Sequence, residues 1–116
     1  MSDFTAFVDG SVADIPCRIL LDTGSPVSIL SSSFVHRNGL SGKVTEANKC
    51  ILRGIAGGKV VMDGKIIVEV KLGKSHGKLD AWVADVEDDV LVGMDFLKAR
   101  GCILDLRGEF LQIQES

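Results

Sequence analysis

Alternation of apolar and polar residues in the middle of the chain predicts β-strands. Between residues 65 and 72 every second side chain is apolar: Ile66, Val68, Val70 and Leu72. A period of two is typical of a strand that buries one face. The pattern resumes over residues 81–86, after a turn predicted at residues 73–77.

Apolar runs in the first third of the chain predict a hairpin and two further strands. The dipeptide Asp9-Gly10 tolerates positive φ angles, so we expect the opening hairpin to turn there. A buried strand over Ile15–Leu21 should end in the polar loop Asp22–Ser25, where a glycine permits a sharp change of direction. A short strand follows, and the serines at 31–33 predict a turn or cap. Residues 36–49 predict no regular element.

The remaining elements surround two glycine-containing segments. Residues 50–53 and 59–62 predict two strands, one on each side of a glycine-rich tip at Gly54–Gly58. The tip is expected to be mobile, because glycine restricts the backbone least. Near the C-terminus, Val90–Gly93 predicts a buried strand, and Asp95 is placed to cap a short helix over Phe96–Arg100. The last strands are predicted over Cys102–Leu106 and Phe110–Ile113.

Composition agrees with a small, mostly β protein. The 116 residues and 12.4 kDa fit one domain over residues 1–116, and Val and Ile number 22 against 7 Ala. The formal charge of −3 disfavours nucleic-acid binding, and the short apolar runs predict no membrane span. Three separated cysteines without a Cys-x-x-Cys pair, and two histidines, predict reduced thiols and no metal site.

The candidate for chemistry is the loop Asp22-Thr23-Gly24-Ser25. A carboxylate at the end of a buried strand is costly to ionise unless hydrogen bonds or a function compensate. An ordinary Asp-Thr-Gly turn is the alternative. The catalytic interpretation gains weight from a second apolar-apolar-glycine element, Leu91-Val92-Gly93, about 70 residues later.

These motifs, in this order and spacing, resemble the retropepsins, the single-domain aspartic proteases of retroviruses and long-terminal-repeat retrotransposons. The resemblance covers nearly the whole chain and includes the glycine-rich tip from Arg53 to Val60. The retrotransposon branch is most similar, because it commonly shows Gly-x-Asp-Phe-Leu, here Gly93–Leu97, and an Ile-x-Asp-Leu strand, here Ile103–Leu106.

The resemblance implies an all-β closed acid-protease barrel with one short C-terminal helix, working as a C2 homodimer without cofactor. One carboxylate cannot be base and acid towards the same water and carbonyl in one step, so two copies of Asp22 would share a proton and activate water. The substrate would be an extended peptide, and the expected location is the cytoplasm or a retroelement particle.

The same resemblance assigns roles to other positions. Thr23 would bond across the dimer axis, Gly24 would admit the backbone close to the aspartates, and Ser25 would bond beside them. A flap would be formed by Arg53, Gly54, Ile55, Ala56, Gly57 and Gly58. Side-chain pockets would be lined by Ile29, Ile55, Val90 and Leu91, for which plain core packing is the alternative.

Two positions depart from the retroviral pattern. Where retroviral members usually carry an Arg and an Asp, this chain has Met94 and Pro26. A dimer would therefore be held differently. A catalytically silent dimerisation or protein-binding module remains the main alternative to an endopeptidase, and a monomeric barrel without a site is a third.

Overall fold

A computed structural model describes residues 5–46, 50–55, 58–73, 75–99, 103–104 and 111–112. Strands account for most of these residues. In chain order the elements are β1 (Thr5–Val12), β2 (Ile15–Asp22), β3 (Ile29–Ser31), α1 (Ser32–Arg37), a 3-10 turn (Ser41–Lys43), β4 (Cys50–Ile55), β5 (Gly58–Leu72), β6 (Ser75–Ala84), β7 (Val90–Val92), α2 (Met94–Ala99), β8 (Ile103–Leu104) and β9 (Leu111–Gln112).

Six strands close into a barrel. They are hydrogen-bonded in the order β1-β2-β7-β3-β6-β5, and β1 also pairs with β5 to complete the circle. β4 extends beyond the circle on β5, while β8 and β9 form a separate pair. The predicted all-β closed barrel with a short helix near its end is confirmed.

The barrel interior holds the main apolar core. The predicted alternation is confirmed, because Ile66, Val68, Val70 and Leu72 are all buried and contribute to one cluster. The short strand β7 is buried throughout, as its continuous apolar run predicts. A smaller cluster of Ile29, Met62, Ala84 and Leu91 is separate from this main core.

The opening hairpin is confirmed, but the predicted position of its turn is wrong. β1 continues through Asp9-Gly10, and the turn falls at Ala13 and Asp14, whose φ angles are 50° and 64°. Gly10 instead serves close packing, since a Cβ there would lie 2.3 Å from the carbonyl oxygen of Lys71 on β5. A glycine inside a strand can thus mark a close backbone approach instead of a turn.

The predicted short strand is β3, and of the turn or cap predicted at the serines the cap is found, because the helix α1 follows in place of a turn. Ser31 caps it: its side chain accepts a hydrogen bond from the Phe34 N–H at 3.0 Å. Phe34 and Val35 then bury their side chains in the main core. Six residues contain less than two turns of periodicity, so the pattern was too short to stand out.

The other predicted elements are found with shifted ends. α2 begins at Met94, two residues earlier than expected, so Asp95 lies within its first turn; Arg100 lies outside the described residues. Instead of turning over residues 73–77, the chain resumes its strand at Ser75. β8 and β9 fall inside the two predicted C-terminal strands, whose remaining residues lie outside the described part.

β4 and β5 form the predicted hairpin around the glycine-rich tip. Their pairing runs from Cys50↔Met62 to Ile55↔Gly58. Ala56 and Gly57 lie outside the described residues. β5 then continues into the barrel through a register shift between Met62 and Gly64.

Both helices in the described ranges have six residues, and no described helix is long and apolar enough to cross a membrane.

Candidate active site

Asp22 is the last residue of β2, a strand bonded on both sides. Its Cα pairs with Thr5 of β1, and the preceding Leu21 pairs with Val92 of β7. Leu21 is fully buried, whereas Asp22 is partly exposed. The strand therefore carries the carboxylate out of the core to the barrel end.

The loop after β2 orients this carboxylate by local hydrogen bonds. The Gly24 N–H donates to Asp22 Oδ1 at 2.8 Å, and the Ser25 N–H donates to the Asp22 carbonyl oxygen at 3.2 Å. Gly24 itself is exposed. The tripeptide thus forms a tight turn that holds the side chain of Asp22 at an accessible edge.

Ser25 bonds within the loop. It is 2% exposed, and its hydroxyl donates to the Val27 carbonyl oxygen at 2.6 Å. Its own carbonyl oxygen accepts the Met94 N–H at 2.8 Å. Ser25 therefore ties the aspartate loop to the start of α2.

Gly93 permits the two loops to touch. A Cβ at this position would lie 2.3 Å from the Val27 carbonyl oxygen and 2.7 Å from that of Ser25. Gly93 does not have a positive φ, so its lack of a side chain serves contact between backbones. The structure thus brings together the two motifs that the sequence places 70 residues apart.

Ser28 and Asp95 extend this junction and were not predicted as site residues. The Asp95 carboxylate accepts both the N–H of Ser28, at 3.0 Å, and its hydroxyl, at 2.7 Å. The Ser28 hydroxyl in turn accepts the Gly93 N–H at 3.0 Å. The available signal was a serine inside the apolar run Val27–Leu30, because a buried hydroxyl needs a partner.

The predicted pocket residues occupy two clusters. Ile29 and Leu91 are paired between β3 and β7 and share the smaller cluster. Val90 is fully buried in the main barrel core. In this chain all three pack against apolar neighbours, and their part in a pocket stays a prediction.

The predicted flap residues Arg53–Ile55 belong to β4, and Gly58 begins β5.

An ion pair lies next to the start of β7. Arg37 of α1 pairs with Asp89, which immediately precedes β7. Burial and the charge of Asp89 raise the pKa of the Cys17 thiol, although a backbone hydrogen bond to Val12 opposes them. Within the described ranges no three His, Cys, Asp or Glu side chains are grouped to hold a metal ion.

This geometry defines a class of protein. An Asp-Thr-Gly loop at the end of a barrel strand, backed by an apolar-apolar-glycine segment, is the half-site arrangement that the sequence resemblance implied for aspartic proteases. A family model described as aspartyl protease matches residues 8–96, more than half of the chain. The chain belongs to the aspartyl protease family, and its prediction as a retropepsin is confirmed.

The chain is similar both to DDI1 proteins and to a retrovirus-related polyprotein. "Protein DDI1 homolog 1" of Caenorhabditis elegans is 29% identical over 91% of this chain, and "DNA damage-inducible protein 1" of Saccharomyces cerevisiae is 28% identical over 94%. The chain spans 28% and 25% of their lengths. The "Retrovirus-related Pol polyprotein from transposon 412" of Drosophila melanogaster is 28% identical over 91% of the chain, which spans 8% of that polyprotein.

Solved structures show the same fold. The retroviral protease-like domain of Ddi1 from Leishmania major superimposes with a TM-score of 0.74 at 20% identity, covering 95% of this chain and 87% of that one. EIAV protease complexed with the inhibitor HBY-793 gives a TM-score of 0.63 at 28% identity, covering 89% and 94%. The expected retrotransposon relationship is therefore accompanied by a DDI1 relationship that the motifs did not indicate.

Proposed function

We propose that the protein is an aspartic endopeptidase that works as a homodimer and cleaves extended peptides. The observation that carries this proposal is the placement of Asp22, which is partly exposed and is held by the Gly24 N–H at the end of the barrel. Family membership supports the chemistry.

The need for a second copy follows from the reaction. The chain contains one Asp-Thr-Gly, and water activation with simultaneous polarisation of the carbonyl takes two carboxyl groups. Two Asp22 side chains would share one proton across a two-fold axis. The ionised one accepts a proton from water, and the protonated one donates a hydrogen bond to the peptide carbonyl. The intermediate is a tetrahedral diol.

Other residues take supporting roles in this proposal. Thr23 bonds across the axis, and the β4–β5 hairpin, with its tip at Arg53–Gly58, closes over the substrate as a flap that excludes water. Ile29, Val90 and Leu91, which are buried in this chain, would form the apolar base of pockets that favour apolar side chains next to the cleaved bond. Partly buried neighbours of the smaller cluster, including Leu20 and Trp82, bring its apolar surface towards solvent.

We propose a polyprotein as the substrate, as expected for a retroelement protease. Similarity to a segment of the transposon 412 Pol polyprotein supports this choice. The DDI1 relatives, of whose length the chain spans 28% and 25%, support a second setting, in which the domain is one part of a longer protein. In that setting we propose that it cleaves other chains. Both settings use the same dimeric site and the same extended peptide conformation.

A catalytically silent dimerisation or protein-binding module is the second candidate. Met94 and Pro26 favour it, because neither side chain can supply the charge that the retroviral pattern carries there. Such a module would keep the fold and the dimer. It would show no peptide cleavage at any pH.

The test is digestion of a peptide library and of a flanked precursor, with and without a statine-type inhibitor. We expect cleavage by the wild type and none by Asp22→Asn, because an amide cannot accept the proton from water. Asp9→Asn, at an exposed position in β1, is the matched control and should cleave normally. Turnover by Asp22→Asn equal to that of the wild type would remove Asp22 from the mechanism.

Dilution distinguishes the candidates further. Specific activity should fall on dilution below the dissociation constant of the dimer, because a monomer carries half a site. Sedimentation velocity on the same samples should show the matching loss of dimer. A wild-type dimer that cleaves nothing in the library would instead establish the silent module.

A further inference from the structure

A compact set of hydrogen bonds connects Ser28, six residues after Asp22, to the start of α2. Asp95 Oδ2 accepts the Ser28 N–H at 3.0 Å, and Asp95 Oδ1 accepts the Ser28 hydroxyl at 2.7 Å. The Phe96 N–H also donates to Asp95 Oδ1, at 2.7 Å. We call the pair Ser28 and Asp95 the Ser–Asp clamp.

The clamp requires a group that only accepts hydrogen bonds. All three groups that face the Asp95 carboxylate in these bonds are donors, and an ionised carboxylate has acceptor sites for all of them. Ser28 is fully buried, and its hydroxyl both donates to Asp95 and accepts from the Gly93 N–H. Breaking one partner would therefore leave a buried polar group without its bond.

The clamp completes a frame around the Asp22 loop. One end of the loop is fixed by strand pairing in β2, and its middle is bonded through Ser25 to Met94. The far end is held at Ser28. Thr23 and Gly24 lie between the first two of these points, and Pro26 and Val27 lie between the last two. A shift of Ser28 would therefore reach the Asp22 carboxylate through Ser25 and the Gly24 N–H.

We propose that Ser28 and Asp95 are positioning residues that set the geometry of the Asp22 loop. This inference rests on the proposed function for its kinetic consequence. Retroviral members usually carry charged residues where this chain has Met94 and Pro26; here side-chain bonds between the two motifs are made at Asp95, one residue after Met94, and Ser28, two residues after Pro26. Neither residue touches substrate in this scheme.

The decisive variant is Asp95→Asn, which keeps the shape of the side chain but presents an NH2 group either to the Ser28 N–H, in place of Oδ2, or, if flipped, to the Phe96 N–H, in place of Oδ1. Either way a donor faces a donor. We expect kcat to fall about 10- to 100-fold with little change in KM, because small misplacements of reacting groups cost rates of this order. Ser28→Ala should behave alike, and Ser28→Thr, which restores a hydroxyl, should recover most of kcat.

A control for lost stability is Val70→Ala. Val70 is fully buried and pairs with Val12 on the β1–β5 side of the barrel. It belongs neither to the Asp22 loop nor to the start of α2. Val70→Ala should lower the thermal midpoint while leaving kcat within about twofold of the wild-type value, since the backbone pairing of residue 70 is kept. If Val70→Ala lowers kcat as much as Asp95→Asn at an equal shift in midpoint, the clamp has a structural role only and the proposal is overturned.

Amide hydrogen exchange by NMR provides a readout that does not need activity. In Asp95→Asn the amides of Ser28 and Gly24 should exchange at least about tenfold faster than in the wild type, whereas the Val70 amide should not. Unchanged exchange at Gly24 would overturn the proposal. A wild type without protease activity would refute the proposed function, and the exchange of Gly24 would then decide the clamp by itself.

A rise in KM at constant kcat would also overturn the inference. That result would mean that Asp95 contributes to substrate binding and does not position the loop.

Discussion

Replacing Gly93 by alanine tests the contact between the two motifs most directly. The added Cβ would lie 2.3 Å from the Val27 carbonyl oxygen, with the Ser25 carbonyl oxygen and the Val27 carbonyl carbon each at 2.7 Å. Ordinary van der Waals contact begins near 3.4 Å. All three neighbours are backbone atoms, so no flexible side chain can move aside.

The magnitude follows from this overlap. The loop must withdraw by about 1 Å, an overpacking of the kind that costs roughly 1–3 kcal/mol. That movement also stretches the bond from the Met94 N–H to the Ser25 carbonyl oxygen, worth about 1 kcal/mol. We therefore expect the free energy of unfolding to fall by about 2–4 kcal/mol, and the thermal midpoint by roughly 8–16 °C for a chain of this size.

The assay is urea unfolding at one fixed protein concentration, so that any dimer contributes equally to each sample. Gly42→Ala is the matched control, because nothing lies within 4 Å of a Cβ there and its φ is not positive. It should change the unfolding free energy by less than about 1 kcal/mol. A Gly93→Ala protein as stable as Gly42→Ala would refute the close approach of the two loops.

Two further predictions concern α1 and Cys17. Ser31→Ala removes the side chain that accepts the Phe34 N–H, and it should lower the unfolding free energy in urea by about 1–2 kcal/mol. Ser33→Ala, at an exposed position of the same helix, should lower it by less than about 0.5 kcal/mol. Equal losses in the two variants would argue against the cap. Because burial and Asp89 raise the pKa of Cys17 above its usual 9.0, the folded state binds this proton more tightly than the unfolded state. The contribution of Cys17 to the unfolding free energy should be fully present below about pH 8 and should be lost as the pH rises above 9. In unfolding measured from pH 7.5 to 10, the loss of stability should therefore be smaller in Cys17→Ser than in the wild type. An identical dependence on pH in the two proteins would refute this prediction.

Local patterns predicted much of the fold. The alternation around Val68 identified the buried face of β5, because burial of one strand face is encoded residue by residue. The turn after β1 was missed because Asp9-Gly10 is the stronger turn signal. Gly10 is instead required by the close approach of the Lys71 carbonyl, a contact 61 residues away that no local pattern reveals.

The candidate site was likewise predicted only in the part that local sequence encodes. Asp22, Thr23 and Gly24 were found because the Asp-Thr-Gly motif consists of adjacent residues that can be read directly in the sequence. The partnership of Ser28 with Asp95 joins positions 67 residues apart, and Asp95 alone is equally well explained as a helix cap. Its role emerged only when the barrel had placed β7 and α2 against the loop.

The pairing of β2 with β7 has a consequence for how the protein folds. Leu21 and Val92 are partners across 71 residues, and contacts of such sequence separation form late because a long loop must first be closed. A nascent chain that ends at β6 therefore contains Asp22 without the residues that fix its loop. Assembly of each half-site should be among the last folding events, and a proteolytic cut between β6 and β7 should weaken it, because β7 would then be held to the strand of Asp22 by non-covalent contacts alone.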